Sequence, residues 1–502
     1  MRKILLLLLI LPFLIPAQSI PNMDTSFAGF GRVTLSVWNN NFAYCTAVQP
    51  DKKILVGGSI QQNTPTTNQS YVIARYNENG TLDSTFGING LLYSNTGNYS
   101  TIYDIKILSD GKILMAGSWD GNAFIGQLLT DGSFDSGFGN NGIKVFSGGH
   151  IRDIEVLPDG SIVGYGQKNT ASILVKVSAD GQADSSFGNS GMVSTTFGYP
   201  STVNNAMIRQ TDGKLVITGA VVPNSSYPQN NQAFIARYTA AGIPDPAFGT
   251  NGLILYNTNA NVGRDIAQTA NGKILVLAEK PNAAVTNIGT TSHFFLLQFN
   301  TDGTPDTTFN NLGYVGFGPT YCSSLKVDPQ NKIYIGSSSF NSTSYYDFKQ
   351  IIRLNADGSR DSTFGSNGVY VSNTRVYSSE YAYGTNNMNF TPDGKLVIGS
   401  YVNAPGFLIT IMRLNVLSNS LSASETFANS QAISVYPNPV KDAIHVQSRD
   451  NILSLELTDF SGRIVSKSIH ATKMDLVSIS AGTYMLKVKT AKKEETFKII
   501  KK

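Results

Sequence analysis

Short apolar runs recur along residues 20–415, and turn-forming residues separate them. Four consecutive runs at 91–95, 103–108, 112–118 and 123–129 show the pattern. An Asp-Gly pair between the second and third runs favours a hairpin, because glycine accepts a positive φ at little cost. This part of the sequence has no helical periodicity of useful length. The pattern therefore predicts an all-β protein built from short, hairpin-linked strands.

One phrase, Asp-x-x-Phe-Gly-x-x-Gly, recurs between these groups of strands. Strict copies begin at Asp83, Asp135, Asp184, Asp245 and Asp361, and looser copies begin at Asp24 and Asp306. Their phenylalanines and first glycines are Phe27, Phe86, Gly87, Phe138, Gly139, Phe187, Gly188, Phe248, Gly249, Phe309, Phe364 and Gly365. Six intervals separate Phe27 from Phe364, so the mean repeat is about 56 residues. Four strands in a repeat of this length are typical of a propeller blade.

Each copy of the phrase is predicted to form a corner between strands. The aspartate can accept backbone N–H groups in an Asx turn. The phenylalanine is expected to fill a gap between neighbouring blades, and the glycines allow tight bends. Seven copies are what seven blades require, so we interpret the corner residues as structural.

The two ends of this region are incomplete in complementary ways. The last unit ends at 411–415 without a corner phrase, and the first corner phrase begins at Asp24 without a preceding strand. The N-terminal phrase can therefore complete the last blade. We predict a closed seven-bladed β-propeller over residues 20–415, an arrangement that protects the sheet edges against aggregation.

The N-terminus has the features of an export signal. Arg2 and Lys3 precede an apolar run at 4–15, and Ala17 and Ser19 are small residues suited to signal-peptidase cleavage. Residues 1–19 are therefore predicted to be a signal peptide, with an uncleaved anchor as the alternative. No later stretch reaches the about 18 apolar residues of a membrane span, so no integral membrane segment is expected.

The net charge of +4 is unevenly distributed. Residues 20–415 hold 24 Lys and Arg against 26 Asp and Glu, whereas residues 431–502 hold 12 against 7. The repeat region thus lacks the basic surface that nucleic-acid binding requires. Cys45 and Cys322 show no zinc-site spacing. They are expected to be buried and apolar in character rather than joined in a disulfide.

Candidate catalytic and metal-binding residues are sparse. His150, His293, His445 and His470 show no metal-site spacing, and no known nucleophile or phosphate-loop motif is present. A carboxylate pair for glycoside hydrolysis, assembled from distant blades, stays open. Asp-Gly-x-x-Asp loops such as 131–135 offer two carboxylates each, which favours turn formation over calcium binding. We expect no catalytic residue and no cofactor, with calcium as the alternative.

Tyrosines occur in two irregular inserts, at 224–231 and 341–350. Loop tyrosines can stack on sugars or anchor a protein partner. Ordinary packing within the loops is the favoured interpretation.

The repeat pattern stops after Asn415. Residues 416–430 are polar and predict a linker, and residues 431–502 alternate like the strands of a small β-sandwich. This segment opens with Tyr436-Pro437-Asn438-Pro439 and includes Gly462 in "DFSGRIV". Later features are Gly482 in "SAGTYMLKV" and the terminal Lys501 and Lys502.

Both parts resemble known families. Strand phrases such as "SDGKILMAGS" combined with the corner phrase resemble the delta-60 repeat family of bacterial extracellular proteins, which implies a propeller-like fold and no established enzyme activity. The tail closely resembles the type A sorting domain of the type IX secretion system of Bacteroidota. That resemblance implies passage through the outer membrane, removal of the tail by a sortase-like protease, and attachment to the cell surface or release.

Three hypotheses for function follow. The favoured one is a secreted or cell-surface propeller that binds a glycan, a cell-envelope component or another protein. The alternatives are a polysaccharide-active enzyme with a site in the central funnel and a purely structural surface protein.

Overall fold

The computed structural model describes residues 21–62, 68–94, 99–224, 230–256, 260–280, 293–341, 346–376, 388–404, 406–416, 434–436, 440–448, 451–459, 463–490 and 494–501. These residues belong to two compact units, 21–416 and 434–501. Within them, β-strands and one short 3₁₀ helix, Phe309–Asn311, are the regular elements. The all-β prediction is therefore confirmed. No helix in the described residues has the length and apolarity needed to span a membrane.

The strands of the first unit are short, as the apolar runs predict. They are β1 (Asn22–Met23), β2 (Arg32–Leu35), β3 (Asn40–Val48), β4 (Ile54–Gln62), β5 (Asn68–Tyr76), β6 (Leu91–Tyr93), β7 (Ser100–Ile107), β8 (Ile113–Trp119), β9 (Asn122–Leu128), β10 (Ile143–Phe146), β11 (His150–Val156), β12 (Ile162–Lys168), β13 (Ala171–Val177), β14 (Met192–Thr195), β15 (Ser201–Arg209), β16 (Leu215–Val222), β17 (Gln232–Tyr238), β18 (Leu253–Tyr256), β19 (Val262–Gln268), β20 (Ile274–Lys280), β21 (His293–Phe299), β22 (Tyr314–Val327), β23 (Ile333–Asn341), β24 (Tyr346–Leu354), β25 (Val369–Val376), β26 (Met388–Phe390), β27 (Leu396–Ala404) and β28 (Gly406–Asn415).

Antiparallel pairing arranges these strands in groups of four, which we call blades. Blades 1 to 4 are β3–β6, β7–β10, β11–β14 and β15–β18. Blades 5 and 6 are formed by β19–β25, where the long strand β22 pairs first with β21 and then with β23. Blade 7 is β26–β28 together with β2.

The pairing of β2 with β28 joins the beginning and the end of this unit, with Thr34 opposite Thr410. It is the pairing that the predicted closure requires. The first strands of the blades also contact one another in the order β3, β7, β11, β15, β19, β22, β26 and again β3. These inner strands therefore surround a central channel. The sequence did not decide whether the strand after a corner phrase belongs to the blade before it or to the blade after it. Strand β6, which follows the corner at Asp83, pairs with β5 and is therefore the last strand of blade 1.

The phenylalanine of each corner lies at the joint between two blades. Phe86, at the end of blade 1, is fully buried. It packs against Gly132 of blade 2, where an added Cβ would lie 2.7 Å from the phenyl ring. The same arrangement joins Phe138 to Gly181, Phe187 to Gly242, Phe248 to Gly303 and Phe309 to Gly358.

The corner aspartate holds the turn through both carboxylate oxygens. Asp83 Oδ1 accepts the N–H and the hydroxyl of Thr85, at 3.1 and 2.7 Å. Its Oδ2 accepts Arg75 Nε at 2.7 Å, and the Arg75 guanidinium lies 4.6 Å from the centroid of the Phe86 ring. Burial acts to raise the pKa of Asp83, but the bonds from Thr85 and Lys53 and the charge of Arg75 lower it to about 2.

An equivalent joint connects the beginning and the end of the first unit. Asp24 and Phe27 come from the N-terminal phrase, and Arg413 comes from β28. Asp24 Oδ2 accepts Arg413 Nε at 2.6 Å, and Arg413 Nη1 donates to the carbonyl oxygen of Glu78 in blade 1, also at 2.6 Å. Arg413 is 1% exposed, so this charge is buried together with its partners.

The second unit consists of two sheets. Its strands are β29 (Ser434–Tyr436), β30 (Ala443–Gln447), β31 (Ile452–Thr458), β32 (Ile464–Ile469), β33 (Lys473–Asp475), β34 (Gly482–Thr490) and β35 (Glu494–Lys501). One sheet has the order β29-β30-β33 and the other β32-β31-β34-β35. Leu455, Leu457, Leu486 and Ile499 are fully buried in its core.

Replacing Gly132 by alanine tests the phenylalanine joint, with Gly121→Ala as the matched control. Both glycines have positive φ, +88° and +74°, but a Cβ at Gly121 meets nothing within 4 Å. Both variants share a backbone cost of about 1–2 kcal/mol. Gly132→Ala is expected to lose about 1–3 kcal/mol more in the free energy of unfolding, because its methyl group overlaps the Phe86 ring. Equal losses in urea unfolding would contradict this role of Phe86.

Candidate functional site in the central channel

The corner residues identified in the sequence lie at the joints between blades. There Asp83 is hydrogen-bonded to Arg75 and Thr85, and Phe86 is buried against Gly132. In the tail, Tyr436 is in β29, and Gly482 pairs with Lys501 across β34 and β35. The other predicted site residues lie outside the described residues, namely Ala17, Ser19, Pro437, Asn438, Pro439, Gly462 and Lys502. Two of the insert tyrosines, Tyr227 and Tyr345, lie outside them as well, whereas Tyr346 begins β24.

The aspartates considered for calcium are engaged in their own turns. Asp131 Oδ1 accepts the N–H and the hydroxyl of Ser133 at 2.9 and 2.6 Å. Asp135 binds Gly137 N–H at 3.0 Å and Lys112 Nζ at 2.8 Å. Across the part of the chain that the structure describes, no three His, Cys, Asp or Glu side chains are placed to hold a metal ion.

The two cysteines are free, and both are buried. Burial raises the pKa of the Cys45 thiol and of the Cys322 thiol. Both therefore stay protonated and are packed as apolar residues, as expected from the sequence.

Two open cavities of about 350 and 380 Å³ lie between the turns of blades 4, 5 and 6. They share Thr211, Gln268 and Gly272. The cations of the first cavity, Lys214 and Arg237, are both paired with Asp245. These cavities thus lie on the outer surface of the corner joints. The cations of the first cavity are already paired with a corner aspartate.

Six inner strands carry a β-bulge at the same position. The pairing of β3, β7, β11, β15, β19 and β22 with the next strand skips one residue. A bulge leaves this residue unpaired and redirects its side chain. The bulge residues are Tyr44, Tyr103, Arg152, Asn205, Arg264 and Ser323. The bulges therefore occupy equivalent positions on six of the inner strands that surround the channel, and we call these six residues the bulge ring.

Three neighbouring bulge residues form a continuous surface with one histidine. The ring centroids of Tyr44 and Tyr103 lie 5.6 Å apart, and Tyr103 lies 5.6 Å from His150. The Arg152 guanidinium lies 4.9 Å from the centroid of the Tyr103 ring. All four residues are partly exposed. We call Tyr44, Tyr103, His150 and Arg152 the channel arc.

The charge states of the channel arc follow from its burial. Burial, with a smaller contribution from the charge of Arg152, lowers the pKa of His150 to about 3. The imidazole is therefore neutral at neutral pH. Burial also raises the pKa of Tyr44, so its hydroxyl group keeps its proton. The arc thus offers two aromatic rings, a neutral imidazole and one cation, a combination that suits a polar ligand with flat faces.

An aspartate directly after the bulge ties one inner strand to the next. Asp104 Oδ1 accepts Ile105 N–H at 2.8 Å, and its Oδ2 accepts Ile154 N–H of blade 3 at 3.0 Å. These amides belong to inner sheet edges, where a buried donor without a partner would be costly. Equivalent bonds run from Met207 N–H to Asp153 and from Leu325 N–H to Asp265, at 2.9 and 2.7 Å.

A second group of charged side chains lies next to the arc. Lys106 Nζ is 3.6 Å from Asp104, 3.8 Å from Asp153 and 3.4 Å from Glu155. Burial raises the pKa of Glu155, and the charges of Lys106 and of Lys326 in blade 6 oppose that rise. We call Asp104, Lys106, Asp153 and Glu155 the charged tier.

Asp104 and Asp153 are two neighbouring carboxyl groups on adjacent inner strands, of the kind considered in the sequence for a carboxylate pair. They are 1% and 2% exposed, and each carboxylate accepts a backbone N–H of the next blade. A glycosidase needs its pair to flank a bound sugar. These two carboxyl groups serve the inner strands instead, and they do not present themselves to a ligand.

Comparison with known families agrees with this architecture. The Secretion system C-terminal sorting domain matches residues 434–502, and the beta-propeller family described as Domain of unknown function (DUF5122) matches 49–86, 269–309 and 329–364. The chain is a β-propeller protein with a C-terminal sorting domain. The sorting domain indicates export by the type IX secretion system to the cell surface or the extracellular space.

Solved structures with a similar fold are distant. A protein from Lactobacillus plantarum is 9% identical with a TM-score of 0.42, covering 84% of this chain and 99% of that one. The PQQ-bound aldose sugar dehydrogenase of Streptomyces coelicolor is 12% identical (TM-score 0.37; 62% and 94% covered), and an α-L-arabinofuranosidase of Fusarium graminearum is 10% identical (0.35; 63% and 93%). No curated protein sequence matches the chain. At these values the neighbours carry no argument about activity.

The bulge ring was missed in the sequence, although a signal for part of it is present. Asp-Ile follows the bulge residue at Asp104, Asp153 and Asp265, each time six residues before the Asp or Asn of the hairpin turn. This repeated Asp-Ile could have identified the anchoring aspartates. It could not have identified the bulge itself, because a bulge is a property of strand pairing.

Asp265 predicts a pH dependence of stability. Burial raises its pKa to about 7, whereas an unfolded aspartate titrates near ~3.9. Between these values the folded state binds more protons than the unfolded state, so the free energy of unfolding falls as pH rises. Asp265→Asn removes this contribution. The wild-type protein should therefore lose stability relative to the variant between pH ~4.5 and ~7.5 in urea titrations.

Asp51→Asn is the control for this pH dependence, since Asp51 is an exposed carboxylate. A difference between wild type and Asp265→Asn that stays constant across the pH range would contradict a raised pKa at Asp265.

Proposed function

We propose that this protein is a secreted or cell-surface binding module and that its ligand site is the channel arc. The observation that carries the proposal is the arc itself, in which side chains from three successive inner strands converge on one partly exposed surface. Concave sites with aromatic walls and a few polar groups are the usual form of a ligand site.

The construction of the bulge ring supports this proposal. The bulge position is common to six blades. Directly after the bulge, Asp104, Asp153 and Asp265 each accept a backbone N–H of the next blade and so stabilise it. The side chain at the bulge, however, differs from blade to blade. The backbone arrangement is thus repeated, whereas the side chain that it carries varies. This combination is expected of a binding site supported on a rigid scaffold.

Export places such a module where it would meet extracellular ligands. The sorting domain implies contact with the type IX secretion machinery. We propose in addition that a sortase-like protease removes the tail, which would leave the propeller as the mature binding unit.

A binding screen with arc variants tests the proposal. The full chain and its Tyr103→Ala and Arg152→Gln variants are applied to glycan arrays, peptide libraries and cell-envelope fractions. At least one ligand should bind wild type and lose about threefold to tenfold in affinity with Tyr103→Ala, the range expected for one aromatic contact.

Ser323→Ala is the matched control, because Ser323 occupies the bulge position in blade 6, outside the arc. Melting temperatures identify variants that fail to fold. Binding that is indifferent to both arc variants would contradict the channel arc as the site.

A further inference from the structure

We infer that the channel arc binds the terminal residue of a saccharide chain. The inference rests on the proposed function and specifies its ligand. It follows from the shape and chemistry of the arc together with the charged tier that lies beside it.

The arc matches the two surfaces of a sugar ring. A pyranose has an apolar C–H face that packs on aromatic rings, and hydroxyl groups that need hydrogen-bond partners. Tyr44 and Tyr103 supply two aromatic rings tilted by 51° to each other. Their hydroxyl groups and the Arg152 guanidinium supply polar atoms beside these rings. A flat, hydroxyl-rich ligand thus uses both kinds of group at once.

The charged tier lies beyond the arc along the inner strands. Lys106 follows Tyr103 by three residues on the same strand, about 10 Å along it. Lys106 is held between carboxyl groups of blades 2 and 3. A chain that enters past the arc meets these paired charges. We therefore place the end of the saccharide chain, and not an internal residue, at the arc.

The arc favours a saccharide over a protein partner. Protein interfaces are centred on large side chains in apolar, fully desolvated pockets. Each of the four arc residues instead has a polar group, and the neighbouring tier is charged. A bound sugar retains polar contacts in such surroundings, whereas an apolar anchor would have to displace water from them without replacing its hydrogen bonds.

The test uses defined oligosaccharides immobilised through the reducing end, in a neutral set and a set with terminal uronates. The probe is the full chain, and hits are measured again in solution by calorimetry. Tyr103→Ala should weaken binding by about threefold to tenfold, Tyr103→Phe should retain most of it, and Ser323→Ala should leave it unchanged. Loss with Arg152→Gln confined to the uronate set would assign a carboxylate to Arg152, and equal loss in both sets would assign a hydroxyl group.

Competition distinguishes terminal from internal recognition. The free monosaccharide that matches the terminal residue should compete, and a cyclic oligosaccharide of the same residue, which has no end, should not. Equal competition by the cyclic form would overturn the inference. So would a blank array, or glycan binding that Tyr103→Ala leaves unchanged in a folded protein. If glycans fail while an envelope protein binds in an arc-dependent way, the saccharide is wrong and the proposed function stands.

Discussion

One buried phenylalanine holds each blade to the next, and the ring depends on this contact. A blade exposes two apolar sheet faces, so no blade is stable until both faces are covered. Phe86 covers such a face by packing on Gly132, which has no side chain to keep the two apart. Asp83 fixes the turn that places Phe86, and Arg75 joins the carboxylate to the face of the phenyl ring. Seven similar corners distribute this task around the chain.

The inner edge of each blade poses a second problem. An edge strand has backbone groups without a neighbouring strand, and the inner strands face a narrow channel. The bulge and the following aspartate satisfy part of this need, since Asp104 accepts an amide of the next blade. The bulge also turns Tyr103 and Arg152 away from the ladder. The bulges that help to satisfy the inner strand edges thus also supply the side chains of the channel arc, where we place the ligand.

Much of the fold could be predicted from the sequence because repetition makes a weak signal strong. The corner phrase marked the joints, and in the first of the strict copies Asp83 accepts the Thr85 N–H and Phe86 is buried. The incomplete ends indicated the pairing of β2 with β28. The channel arc could not be predicted in this way. Tyr44, Tyr103 and Arg152 come together only because three bulges occur at the same height, and pairing register is not written in any local pattern. The loop tyrosines were considered for ligand contact, with ordinary packing favoured. Tyr227 and Tyr345 lie outside the described residues, whereas Tyr346 begins β24.

Hydrogen exchange of the full chain, with and without an oligosaccharide that it binds, tests the central claim most directly. If the channel arc is the site, amides of β3, β7 and β11 should gain protection on binding, while the hairpin turns at 210–214 and 269–273 should not change. Protection confined to those turns, with β3, β7 and β11 unaffected, would contradict the account and place the ligand on the other side of the propeller.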